Sequence, residues 1–143
     1  MLTEGTGVPL GCVAAPANHH DSPLLRPTLE KLRRFGFDLP EVIKVHLDAG
    51  YDSAKTRDLL DELGCQGVIS QKGFPLQAGA RWVVERTNSW HNRGFKKLAV
   101  CTEKLTGVID AFIALANAII IVRRILAEAW TTHRWDTRPT RRP

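Results

Sequence analysis

A chain of 143 residues is the size of a single domain and long enough to bury a core of its own. Apolar residues make up 43% and charged residues 24%, fractions that exclude a collagen-like, low-complexity or wholly disordered chain. The formal net charge of +5 favours an anionic partner over a cationic one.

In chain order, Val8–Ala15 is a short apolar run after a Gly-Thr-Gly turn and reads as a strand. Asp21-Ser-Pro is a helix start with Asp21 as the N-cap, and the helix runs through Leu24, Leu25, Leu29, Leu32 and Phe35 to Gly36. Residues 42–48 read as a strand that delivers Asp48 at its carboxyl end. After Gly50-Tyr51, Asp52 or Ser53 caps a helix through Leu59, Leu60 and Leu63, closed by Gly64. Val68-Ile69-Ser70 is a third short strand. A loop from Gln71 to Gly79, with Pro75, leads into a helix carrying Glu85. Thr102 or Glu103 begins a long apolar helix that ends near Ala127 to Trp130.

The alternation of strands and helices predicts an α/β layer structure with parallel neighbours. Three short strands leave a small sheet with little to cover its edge, so further strand is expected upstream of Met1. The run Ala111–Val122 is shorter than the roughly 18–20 apolar residues that span a bilayer, and is expected to be a buried helix. The last eleven residues hold four arginines against one aspartate, a net +3, and read as a disordered tail able to touch phosphates. Cys12, Cys65 and Cys101 are three, widely spaced and without a CxxC pair, which points to reduced thiols rather than a disulfide framework or zinc knuckle. The N-terminus lacks the basic and apolar regions of a signal peptide.

Two acids stand out. At helical spacing Arg81, Glu85, Asn88 or Ser89, and Asn92 form a polar stripe, with Trp82, Val83 and Trp90 on the side expected to be buried. A carboxylate among Arg86, Arg93, Lys96 and Lys97 suits a metal ligand beside a phosphate backbone. It also suits an amphipathic helix in which Glu85 pairs with Ser89 or an arginine. Asp48, at a strand's carboxyl end before Gly50, points to the crevice where open α/β sheets bind ligands. Mg²⁺ takes one or two protein carboxylates with water and phosphate oxygens, so Asp48 and Glu85 could share a pair of metal ions in phosphodiester chemistry. The plainer reading makes Asp48 and Asp52 caps of the turn and helix. His19-His20-Asp21 lacks a second spaced ligand set, so a cap at Asp21 is the better reading there.

These residues resemble the DDE-type transposases of bacterial insertion sequences, of the groups numbered four and five, over nearly the whole chain to about Trp130. Leu2–Gly11 looks like the family's strand–turn–strand, followed by Ala17-Asn-His-His-Asp-Ser22. Leu47–Asp52 is similar to the motif of the second catalytic aspartate. Arg81–Arg86, with Trp90, Asn92 and Arg93, resembles the motif of the catalytic glutamate. The resemblance implies an incomplete ribonuclease-H-like fold: a short mixed or parallel sheet flanked by helices, with a long C-terminal helix. Residues 1–130 would form part of a DDE catalytic domain and residues 131–143 a basic disordered tail.

It further implies cleavage and joining of DNA strands at transposon ends with Mg²⁺ or Mn²⁺, held by Asp48 and Glu85. Arg81, Arg86, Asn92, Arg93, Lys96 and Lys97 would contact DNA. The implied partners are transposon ends, target DNA, and a second copy or a full-length transposase. The implied location is the bacterial cytoplasm, at the nucleoid when DNA is bound, with no membrane partner. The family's tyrosine before the arginine and lysine after the glutamate are replaced by Ala78 and Asn92, with Arg93 beside the latter. The first catalytic aspartate falls upstream of Met1, and Glu4 aligns with a turn residue rather than with it. The chain thus resembles the C-terminal part of such an enzyme. The alternative is an inactive remnant that binds DNA or a full-length transposase.

Overall fold

The first two strands, β1 (Leu2–Thr3) and β2 (Pro9–Gly11), form an antiparallel pair. So short a connection cannot make the crossover that parallel strands need, so these strands form a separate pair rather than joining the expected parallel sheet. The turn between them closes with Glu4 N donating to Val8 O at 3.0 Å and Gly7 N to Glu4 O at 2.9 Å. Gly7 has φ +91°, a conformation open chiefly to glycine. The Glu4 carboxylate accepts from Thr6 N at 2.8 Å, from Val8 N at 3.0 Å and from the Thr6 hydroxyl. Glu4 is therefore a turn residue whose carboxylate serves the turn itself.

The expected helix at 21–36 is broken into a 3-10 turn (Ser22–Leu24), α1 (Leu25–Leu29) and a second 3-10 turn (Glu30–Arg34). Pro27 has no N–H to give to the preceding turn, which favours short, tightly wound pieces. Asp21 holds the expected N-cap position but does not cap with its side chain: its backbone is already helical (φ −74°, ψ −28°) and its side chain makes no cap bond. The second 3-10 turn packs against β2, and Lys31 Nζ donates to the Cys12 carbonyl.

β3 (Ile43–Leu47), α2 (Ala54–Glu62) and β4 (Cys65–Ile69) make a βαβ unit, with Ile43 opposite Cys65 and Leu47 opposite Ile69 in a parallel ladder. Ser53 caps α2 from an extended backbone, its Oγ accepting from Thr56 N at 3.2 Å, and Gly64 ends the helix at φ +67°. β4 begins three residues before the expected Val68, because pairing with β3 draws in Cys65-Gln-Gly. Leu25, Leu29, Leu32, Val45, Leu60 and Cys65 form the core between α1, α2 and this ladder.

α3 (Ala78–Gly94), α4 (Lys96–Ala99) and α5 (Thr106–Thr132) complete the described chain, which comprises residues 1–16, 18–36, 38–71 and 78–132 of a computed structural model, with side chains for all but 78–81. Most of the expected 71–79 loop and the tail from His133 lie outside the described residues. α5 starts later than expected because Glu103 Oε1 accepts from Lys104 N at 2.8 Å and Leu105 N at 3.1 Å, holding both in a non-helical turn. It is not the buried helix expected: Ala116 and Ile120 are buried, while Leu115 is 57% and Val122 54% exposed. Its apolar residues run round both sides, and the described residues cover one. No helix among them is long and apolar enough to cross a membrane.

Two predictions follow from this packing. A Cβ on Gly67 would lie 2.6 Å from Cδ1 of Leu60, a residue only 2% exposed, so the Leu60 side chain must shift to admit it. Gly67→Ala should therefore destabilise by about 1–3 kcal/mol, the usual cost of overpacking. In denaturant unfolding, Leu60→Ala should remove much of that penalty when the two are combined. The second concerns Glu4. Burial pushes its carboxyl up, but the bonds from Thr6 and Val8, with Arg124 nearby, outweigh this and hold it below its ordinary value of 4.5. Its contribution is thus full above the unfolded value and lost as pH falls through the lower folded one. Glu4→Gln should melt below the parent at about pH 7, with the gap narrowing as pH falls below the ordinary carboxyl value.

Candidate functional site

Asp48 follows β3 directly and is held by the turn after it. Its backbone is extended (φ −76°, ψ 164°) and Oδ1 accepts from Gly50 N at 2.6 Å. That bond is the cap anticipated as the plainer reading, but it occupies one oxygen. Asp48 Oδ2 has no hydrogen bond to a described residue, and the side chain is exposed. Asp52 is likewise not the α2 cap; its carboxylate pairs with Arg57. The Tyr51 hydroxyl lies within the field of both Asp48 and Asp21: burial pushes its pKa up, and the two negative charges raise it further. Asp21 and Asp48 thus both act on Tyr51.

Glu85 stands on the outer face of α3. The buried stripe of that helix is Thr87 and His91, flanked by half-buried Val83 and Trp90. Trp82, expected on the buried side, is 60% exposed. It lies five residues before Thr87, about 140° round the helix, and so shares the outer face with Glu85, Asn88 and Asn92. Thr87 Oγ1 donates to Gly7 O at 2.7 Å and lies 3.1 Å from its own helix's Val83 carbonyl. His91 Nε2 donates to Asn117 Oδ1 at 2.8 Å, tying α3 to α5.

Among the basic residues, Arg93, Lys96 and Lys97 are exposed, as is Asn92, at the end of α3 and on α4. Arg86 differs from them. It is half-buried, Nη2 donates to the Thr6 carbonyl, and the guanidinium sits 5.3 Å from the centre of the Trp90 ring. The Arg81 side chain lies outside the described residues.

Asp48 and Glu85 come from different packing units. Asp48 ends a strand of the βαβ unit, whereas α3 packs chiefly on β1 and α4. Two exposed carboxylates are the oxygen donors that Mg²⁺ or Mn²⁺ prefers, so the donor type fits. Among the described residues no three His, Cys, Asp or Glu gather to hold a metal ion, so water or phosphate oxygens must complete any such site. A cavity of about 420 Å³ between α2 and β4 is lined by Arg57, Leu60, Asp61, Gln66, Gly67 and Ile69. Neither acid lines it.

Two family models, each described as a transposase DDE domain, match the chain, one over residues 1–77 and the other over residues 45–123. The chain is also 31% identical over 129 residues to the protein assigned as transposase for insertion sequence element IS402 of Burkholderia cepacia. That alignment covers 84% of this chain and 60% of the relative, so the chain spans rather less than two thirds of the relative's length. No solved structure matches the chain.

Proposed function

The chain belongs to the DDE transposase family, and from that membership we propose that Asp48 and Glu85 are two of the acids with which a transposase cleaves and joins DNA strands at transposon ends. The observation that carries this reading is the exposure of both carboxylates within the family match, one at the end of a strand and the other on the outward face of a helix. The βαβ unit with its flanking helices fits part of a ribonuclease-H-like fold. Membership implies use of a divalent metal in general, and Mg²⁺ or Mn²⁺ is the ion proposed here. When bound, such ions supply charge stabilisation to the attacking and leaving oxygens of a phosphodiester.

The chain's own residues would do the following. The Gly50 N–H keeps Asp48 Oδ1 in place and leaves Oδ2 facing outward. Asn92, Arg93, Lys96 and Lys97 offer a nearby polar and basic surface for phosphates, which would orient DNA across the outer face of α3. Arg86, expected at that surface, is half-buried with Nη2 on the Thr6 carbonyl and its guanidinium near the Trp90 ring, so its first role is to hold α3. The setting proposed is the bacterial cytoplasm, at the nucleoid when DNA is bound.

A second reading keeps the DNA contact and drops the cleavage: a chain that binds DNA or a full-length transposase without cutting. It is favoured by the engagement of the Glu4 carboxylate within its own turn, beside an exposed basic surface.

The two readings part in a nicking assay on supercoiled plasmid carrying the element's ends. Under the first, Mg²⁺-dependent nicking appears and falls by at least about 100-fold in Asp48→Asn or Glu85→Gln, as loss of transition-state charge stabilisation demands. Under the second, no nicking appears, yet DNA binding weakens steeply with salt. In both, the triple variant Arg93→Ala, Lys96→Ala, Lys97→Ala should lower the salt slope of binding by about 2–3. An unchanged slope would remove this surface from the DNA contact.

A further inference from the structure

The two residues that follow Glu85 are bound to two consecutive carbonyls of the β1–β2 turn. Arg86 Nη2 takes Thr6 O, and Thr87 Oγ1 takes Gly7 O at 2.7 Å. Thr87 is fully buried, and Arg86 is half-buried with its Nε enclosed and, among the described residues, without a hydrogen-bond partner. The turn is shaped for them. A Cβ on Gly7 would lie 2.9 Å from Arg86 Nη2 and 3.2 Å from Thr87 Oγ1, which a side chain at that position could not share. The turn is also braced from within, by the Glu4 carboxylate on Thr6 and Val8.

We propose that the Glu4–Val8 turn is the seat that fixes the rotation of α3 and thereby aims Glu85, with Thr87 and Arg86 as positioning residues for the site. Thr87 and Glu85 are two residues apart, so they project about 200° from each other round the helix. Holding Thr87 against Gly7 therefore turns Glu85 outward. Thr87 locks the rotation by a directional bond from a side chain with a single rotor. Arg86 adds a second bond on the adjacent carbonyl and a ring contact with Trp90 one turn along, so the helix can neither roll nor slide without losing both. The hairpin thus contributes to the site without supplying a ligand. This inference rests on the reading of Glu85 as an ion-holding acid.

The test uses the full chain, with Tb³⁺ as a hard-cation probe whose emission is excited through tryptophan, Trp82 being on the same outer face three residues from Glu85. Backbone hydrogen exchange of α3 is measured on the same samples and needs no ion. Thr87→Val keeps the shape and removes the hydroxyl; Thr87→Ser restores it; Gly7→Ala attacks the seat from the other side. The expected result is faster exchange in α3 and about fivefold weaker Tb³⁺ binding in Thr87→Val and Gly7→Ala, the scale of one lost hydrogen bond, with both properties recovered in Thr87→Ser. Unchanged exchange in Thr87→Val overturns the seat. Faster exchange with unaltered Tb³⁺ affinity leaves a structural contact and overturns the positioning role. If Asp48→Asn and Glu85→Gln bind Tb³⁺ as the parent does, or the parent binds none, the ion-holding reading fails and the positioning role fails with it. Exchange then still shows whether the seat holds the helix.

Discussion

The orientation of α3 depends on how two adjacent backbone carbonyls, those of Thr6 and Gly7, find their hydrogen bonds. A hairpin as short as β1–β2 cannot satisfy its own turn within the ladder; Gly7 is buried, and a carbonyl buried without a donor costs on the order of 1–3 kcal/mol, whereas Thr6 is exposed. The donors come from Arg86 and Thr87, eighty residues later in the chain. Their positions on the helix then decide which face is buried, and the remainder follows by rotation. Thr87 and His91 go inward, His91 meets Asn117 on α5, and Glu85, Trp82 and Asn92 go outward. Two adjacent polar contacts between distant segments thus set which face of α3 turns outward.

Asp48 is placed by other means. The parallel pairing of β3 and β4 requires a crossover helix, and α2 supplies it with a serine cap at one end and a left-handed glycine at the other. The strand ends where Leu47 meets Ile69, so the next residue must leave the ladder. Asp48 does so in an extended conformation that its own side chain stabilises through Gly50. Capping and ion-holding are therefore compatible at this residue: one carboxylate oxygen serves the turn and the other stays open to solvent. The two acids are brought to the surface by separate units, one local in sequence and one dependent on a long-range contact.

Much of this was legible in the residues. The βαβ unit, the Ser53 cap and Gly64 stop, the strand delivering Asp48 and the helix carrying Glu85 all follow from short-range patterns that the structure retains. The misses have a common cause in contacts the local pattern does not contain. Trp82 reads as a core residue by hydrophobicity, yet the helix rotates to satisfy Gly7 with Thr87, a residue with no apolar claim to burial. Asp21 reads as a cap by position, but Pro23 and Pro27 tighten the chain until Asp21 itself is wound in. α5 reads as buried because it is strongly apolar, while among the described residues the side bearing Ala116 and Ile120 is the one covered. The candidate acids were found by type and place, and the turn that orients one of them was not, because nothing local links Gly7 to Thr87.

The most direct test of the shared-ion reading is paramagnetic broadening by substoichiometric Mn²⁺ in the amide spectrum of the isotopically labelled chain. Broadening that sets in together at residues 48–50 and at residues 84–86, and that is reversed at both by excess Mg²⁺, is the predicted result. Broadening confined to one of these segments, or centred elsewhere, would contradict a common ion held by Asp48 and Glu85.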